Sequence, residues 1–508
     1  MIVEIITACC GAVVLCASLV YYLLTYNYGY WKKRGVVSPV PQVFFGNSKN
    51  TMLRRSTFTE AFKGFYDSFP DQKIVGFYRT WTPSLLVRDL DIIKYIMISD
   101  FDNFMDRGFA FSSKGLGMNL FTADGDTWRI LRNRLTPLFT SGKLKNMFGL
   151  IDQRSDIFMN YMKPIVDENP ERDIYTLIQK FTLGTIAACA FGLDLDINDS
   201  DSMLTKIDNL IFKSNYTIEL DSMFPGILKK LDMSFFPNVI NNFFYGLVKT
   251  VIKERNGMPS NRKDFMDLLL ELRNAGEIVG TKKHENEKDR TLKITDDVMA
   301  AQAFVFYAAG YETSATTMSF LLHQLALNQD IQDKVVKEIN DVLYKHDGKL
   351  TFDVLKDFTY LNQVFDETLR MYPVVDPLTR QALCDYNIPG TDVTVEAGTV
   401  LFVSARGVHY DEKYYPDPYK FDPERFSPEN SKGRHPCAYM PFGIGPRNCI
   451  GMRFAQVQSR VCLVKLLRRY RVEPSSQTRP TMEYNAERPI LGPKHGVPLK
   501  IVVRTAQQ

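Results

Sequence analysis

From Ile5 to Leu24 the chain carries twenty consecutive uncharged residues (IITACCGAVVLCASLVYYLL). As a helix this run would span about 30 Å, the thickness of a bilayer's hydrocarbon core. Glu4 precedes it, and Lys32, Lys33 and Arg34 follow it. A cleaved leader would have a basic start and a shorter apolar stretch, so the pattern predicts an anchor whose trailing positive charges hold the body on the cytoplasmic side. Tyr21, Tyr22, Tyr26, Tyr28, Tyr30 and Trp31 suit the aromatic belt at the interface. Pro39 and Pro41 then make a short stiff connector.

Further on, β-prone runs (KIVGFYR, SLLVRD) alternate with helical pieces over 42–105, and apolar residues recur with helical period over most of 125–275. The polar stretch from Gly280 to Lys293 predicts an exposed connection. A helix rich in apolar and small residues begins near Thr295 and is expected to run past Leu327, with helical periodicity again over 330–372. A β-prone segment, a loop-rich region over 407–448, a helix after Cys449 and a β-prone tail complete the chain. No linker divides 42–508. The pattern therefore predicts an anchor over 1–31, a basic and proline-containing connector over 32–41, and one large domain over 42–508, mainly α with small β-sheets (α+β).

Composition agrees: 508 residues, 45% hydrophobic and 24% charged, are globular proportions that exclude a disordered, collagen-like or coiled-coil protein. A net charge of +4 argues against a general nucleic-acid binder. Eight cysteines without C-x-x-C spacing signal neither a disulfide framework nor a zinc ribbon, and suggest a reducing compartment. With a cytoplasmic body, the sequons at Asn198 and Asn215 should stay unmodified.

One cysteine stands apart. Cys449 lies in FGIGPRNCIG, Phe442 to Gly451, where Gly443, Gly445 and Gly451 permit conformations and close approaches that a Cβ would block. Amides entering the following helix point toward its sulfur and favour a thiolate. A nucleophile would want a nearby base, and none of the six histidines stands in a recognisable catalytic motif. Zinc would want further thiolates or imidazoles close by. Heme needs one thiolate; a free cysteine in a glycine-rich turn is the bland alternative.

FGIGPRNCIG fits F-x-x-G-x-R-x-C-x-G, the ligand signature of the cytochrome P-450 superfamily of heme-thiolate monooxygenases. In order along the chain, WRILR (Trp128 to Arg132), AGYETS (Ala309 to Ser314), ETLR (Glu367 to Arg370) and PERF (Pro423 to Phe426) resemble four further family motifs. With the anchor and the proline connector, the resemblance covers essentially the whole chain and is nearest to insect microsomal members that metabolise xenobiotics. It implies heme b held by Cys449, with Phe442 packed beside the sulfur and Gly443 and Gly451 shaping the loop. Trp128, Arg132 and Arg447 resemble the clamp on the heme propionates, and Arg380 and Arg107 agree in spacing with further contacts.

The resemblance assigns Thr313 and Glu312 to oxygen activation and proton relay, with the small residues Ala309 and Gly310 leaving room for dioxygen above the heme. Glu367, Arg370 and Arg425 would form a buried structural network, with Glu424 facing outward. Phe109, Phe111, Phe304, Ala308, Val374 and Val375, with Phe101 and Phe104 in the same aromatic region, are expected to line an apolar pocket for lipophilic substrates.

No dinucleotide fingerprint is present. Electrons from NADPH would arrive through the microsomal NADPH-cytochrome P-450 reductase, with cytochrome b5 as a second candidate partner and no nucleic acid. Arg129, Arg134, Lys143, Lys145 and Arg453 are expected to give the docking face its basic charge. The implied location is the endoplasmic reticulum membrane. Rival functions are a dedicated hormone or lipid hydroxylase, a heme-thiolate isomerase or dehydratase, which would not need the Glu312–Thr313 pair, and a non-catalytic heme sensor.

Overall fold

A 32-residue helix, Asp296–Leu327, forms the axis of the body. Thr295 starts it by accepting the Val298 N–H at 3.3 Å, and Asp296 and Asp297 complement the positive end of the helix dipole. Its residues are apolar or small nearly all round, the signature of a helix enclosed by others; it packs against Ile174–Ile186 and Asn238–Glu254. The helix stops at Leu327, because Asn328 leaves helical geometry before a new helix, Gln329–Lys345, begins. The expected continuation past Leu327 is therefore two helices meeting at a corner.

This computed structural model describes all residues except 110–114, 200–202, 213–216, 218–219, 222–223, 225, 232, 234–235, 280–290 and 505–508. Phe111, Asn215 and most of the polar stretch after Gly280 lie outside the described residues. Asn198 is exposed.

Beside the helical mass stands a four-stranded sheet in the order Ile74–Arg79, Thr82–Val87, Val400–Val403, Leu378–Gln381. The first pair is an antiparallel hairpin. Thr82–Val87 then pairs in parallel with Val400–Val403 (Leu85 opposite Leu401), bringing together segments about three hundred residues apart. A three-stranded antiparallel sheet joins Tyr470–Pro474, Pro498–Val503 and Glu171–Asp173. Each half has its own apolar cluster, one around the central helix and one beneath the four-stranded sheet. The mainly helical body with small sheets agrees with the pattern in the sequence.

The amino-terminal helix spans Ile2–Thr25, long and apolar enough to cross a membrane, and none of it is buried against the body. A second helical stretch of suitable length and composition, Ile174–Phe191, is mostly buried in the core. Trp31 does not belong to an interfacial belt: it is fully buried, and its indole N–H donates to Phe77 O at 3.1 Å. Gly76 leaves room for the ring, since a Cβ there would lie 2.3 Å from Trp31 Cγ. Trp31 thus fastens the root of the anchor to the sheet.

Candidate active site

The Cys449 loop is shaped by its glycines before any ligand is considered. Gly443 and Gly445 have φ of 70° and 74°, in the left-handed region. A Cβ on Gly445 would lie 1.9 Å from Met97 O, so only glycine fits there. At Gly451 a Cβ would meet nothing within 4 Å and the backbone is ordinary, so protein packing does not require that glycine. The Cys449 N–H donates to Phe442 O at 2.8 Å, closing the loop. Phe442 is half-buried against the main core.

The backbone amides of Gly451 and Met452 lie close enough to the Cys449 sulfur to favour its ionised form, as the loop pattern predicts. The side chain is open to the space in front of the loop, yet the protein packed behind it raises the thiol above its ordinary value, while those amides and the nearby Arg132 and Arg107 pull it down. A cation at the sulfur would add to the pull of the amides and arginines toward the thiolate.

Around the loop the structure gathers cations without enough anions. Arg447, Arg380 and Arg107 lie within electrostatic reach of one another. Burial lowers all three, with like-charge repulsion adding to it at Arg380 and Arg107 and the acids Asp124 and Asp106 opposing it at Arg447: Arg380 to about 9, Arg447 to about 10, Arg107 well below the usual guanidinium range. Arg447 stacks 4.4 Å above the Trp128 ring and donates to Ala123 O at 2.7 Å. Arg107 donates to Arg447 O at 3.3 Å, and Arg380 to Thr379 O at 2.7 Å. Buried Nε atoms of all three, and Nη1 of Arg447, have no hydrogen-bond partner.

The nearby acids do not settle this. Asp124 and Asp106 stand 3.5 and 3.8 Å from Arg447, and burial with Asp106 alongside pushes Asp124 up to about 6. Arg132, expected on a propionate, instead donates to Asn448 O and Oδ1 at 2.7 and 2.6 Å, holding the residue before the cysteine.

On the other side of Arg107 lies a cavity of about 390 Å³. Phe304, Ala308, Ala309 and Thr313 of the central helix line it, with Phe109, Phe121, Val375, Phe402 and Ile490. Val374 does not: it is buried, and its carbonyl accepts the Leu491 N–H at 2.9 Å. Phe101 and Phe104 also belong to the core, against Trp128 and Tyr386. Thr313 Oγ1 donates to Ala309 O at 2.6 Å within its own helix while facing the cavity. Gly310 has a packing reason rather than a ligand one, since a Cβ there would lie 2.7 Å from Ile186 Cδ1.

Glu312, expected as the acid beside Thr313, is fully buried and absent from the cavity lining. An ionised carboxylate out of water needs charge and donors around it. Arg488 and Tyr175 hold one oxygen, and Gln179 Nε2 donates to the other at 2.9 Å. Arg488 carried no signal in the sequence, where it sits in an unremarked tail segment. It is followed by Pro489 and Ile490, both in the cavity wall.

The Glu367–Arg370 pair is bidentate at 2.7 and 2.9 Å with both side chains fully buried, and Arg425 Nε lies 3.5 Å from Glu367. Glu424 faces outward to Lys334. His409, which sequence reasoning missed, extends the network. Its Nδ1–H donates to Arg370 O at 3.0 Å, and its Nε2 accepts the Met440 N–H at 2.9 Å, two residues before Phe442. Of the basic candidates, Arg129, Lys143 and Lys145 are each in an ion pair with an acid. Arg134 and Arg453 are exposed with no ion pair among the described residues.

The arginine cluster wants two carboxylates and the cysteine wants a cation. Heme brings both, and the donor set fits it. A cysteine loop and arginine cluster that fit heme, beside an apolar cavity lined by a threonine-bearing helix, are the features of the class of heme-thiolate oxygenases. The family model described as "Cytochrome P450" matches residues 37–500, and the chain belongs to that family.

It is accordingly a monooxygenase that binds heme and uses NADPH-derived electrons delivered by a reductase. Among similar proteins, Cytochrome P450 6B2 of Helicoverpa armigera is 53% identical over 95% of this chain and 96% of its own length. Cytochrome P450 6B1 of Papilio polyxenes is 52% identical over 97% and 99%. Cytochrome P450 6a8 of Drosophila melanogaster is 38% identical over 96% and 97%.

Proposed function

We propose that this monooxygenase oxidises lipophilic foreign compounds, such as plant toxins or insecticides, and that Cys449 would hold its heme iron. The observation that carries the reading is the pairing of a cysteine in a glycine-shaped loop with three carboxylate-poor arginines, Arg380 and Arg447 buried and Arg107 partly buried, beside a largely apolar cavity. Arg107, Arg380 and Arg447 would hold the propionates, with Trp128 stacked under Arg447, and Arg132 would keep the ligand loop in place. When bound, heme supplies the activation of dioxygen. Ala309 adds little bulk to the cavity wall, and Thr313 beside it holds a proton on Oγ1. Glu312 serves the fold around Arg488 and not the proton directly. The Glu367–Arg370–Arg425 network with His409 holds the loop's approach rigid.

The aromatic lining supports selection by shape and partition rather than by charge. We infer further that Ile2–Thr25 anchors the protein in the endoplasmic reticulum with its body in the cytoplasm. Arg134 and Arg453 offer the unpaired positive charge that an acidic reductase face would meet, and cytochrome b5 would compete for the same side. Cys449→Ser tests the core of this reading: the reduced carbon monoxide band of a thiolate-ligated heme should vanish while the chain still folds. A surviving band would remove Cys449 from the role.

A further inference from the structure

The cavity wall contains two opposite charges, Arg79 and Asp221, that heme binding does not use. Arg79, the last residue of strand Ile74–Arg79, lines it among Phe58, Phe62, Phe65, Phe77 and Phe402. Its guanidinium carbon lies 5.5 Å from the Phe402 ring centre, and its Nε donates to Ser84 Oγ at 3.0 Å. The backbone there is fixed, because Gly46 bridges to Arg79 with φ of 58° and has no space for a Cβ beside Thr80 O. Asp221, also in the lining, is the acid whose charge acts on Arg79. Burial pushes the guanidinium down to about 10.

Placing a guanidinium in an aromatic wall is costly unless its donors are used. The other charged lining residues are already engaged. Arg107 belongs to the arginine cluster, and Asp376 accepts the Ala405 N–H at 2.6 Å and faces Ser404 Oγ at 3.3 Å. A planar guanidinium whose Nε is anchored on a strand can still present Nη donors in a set orientation.

We propose that Arg79 forms a polar subsite that binds a carbonyl oxygen of an otherwise apolar, uncharged substrate. This rests on the monooxygenase reading above and narrows its substrate class. Asp221 decides between neutral and anionic ligands: it repels a carboxylate brought to Arg79 but tolerates a ketone or ester. A molecule held there by its carbonyl extends its apolar part along the phenylalanines toward Thr313.

The test uses the heme-loaded full chain and dissociation constants from ligand-induced spectral shifts. The probes are 1-tetralone, tetralin and tetralin-1-carboxylate. In Arg79→Met the preference for ketone over hydrocarbon should fall about tenfold relative to the unmodified chain, the size expected for a hydrogen bond to a charged donor. In Asp221→Asn, which leaves Arg79 in place, the carboxylate should gain several-fold on the ketone. If Arg79→Met does not retain heme, the Asp221→Asn result alone decides. An unchanged preference in either heme-retaining variant overturns the proposal. A ketone that binds the unmodified chain no better than the hydrocarbon also overturns the proposal, whereas absence of the carbon monoxide band would count against Cys449 as the heme ligand.

Discussion

Glu312 is where the sequence motif and the structure part, and the difference can be measured. The perturbation is Glu312→Gln, which keeps the shape but replaces one accepting oxygen by an NH2 donor and removes the negative charge that Arg488 meets. Arg488 is 16% exposed and Glu312 fully buried. Removing one member of a buried pair costs about 3–5 kcal/mol, and the partial exposure of Arg488 puts this case near 3. Heating the heme-loaded protein should release heme roughly 5 °C earlier, using about 2 °C per kcal/mol for a large domain.

Arg488→Gln should cost a comparable amount, and the double variant less than the sum, because no charge is then stranded. The double-mutant cycle should give a coupling of at least about 1 kcal/mol. Pro489 and Ile490 follow Arg488 into the cavity wall, so apolar ligands should bind several-fold more weakly to each single variant. A coupling near zero, with unchanged stability and a large loss of coupled turnover, would refute this argument and return Glu312 to the proton path.

Two further outcomes follow from packing and protonation. Gly310→Ala should gain about 1 kcal/mol in helix propensity but lose more against Ile186 Cδ1 at 2.7 Å, for a net destabilisation of about 1 kcal/mol; in an Ile186→Val background, which deletes that methyl, denaturant melts should show the sign reversed. His409 is held neutral, its pKa lowered to about 3 by burial and then by Arg370. Its folded value lies below its unfolded one near 6.5, so the unfolded chain binds the extra proton first and stability is lost as pH falls from about 6.5 toward 3. His409→Gln should flatten that part of the acid-unfolding curve, and a curve of unchanged slope would contradict the assignment.

Elements with a strong period and residues whose chemistry is local were legible in the sequence. The anchor, the central helix, the cysteine loop and the Glu367–Arg370 pair each depend on neighbours a few residues away: an uncharged run, a helical repeat, glycines around a thiol, a spacing of three. The parallel join between Thr82–Val87 and Val400–Val403 does not, because either strand could satisfy its alternation against several partners. The end of the anchor was misplaced for the same reason. A tryptophan after an apolar helix reads as interfacial until Gly76, forty-five residues on, is seen to make room for it in the sheet.

The site divides along the same line. A motif states which side chains are present, while their use depends on where countercharges lie, and these come from distant segments. Arg132 is spent on Asn448 because the clamp helix ends against the ligand loop. Glu312 is spent on Arg488 because the carboxy-terminal segment passes behind the central helix at that turn. Arg79, which matches no motif, keeps donors near a cavity because the hairpin delivers it among phenylalanines, where Asp221 is the acid acting on it. A half-buried charge in the cavity wall whose donors are only partly used is therefore a better guide to substrate recognition here than the aromatic residues, which are shared between cavity wall and core.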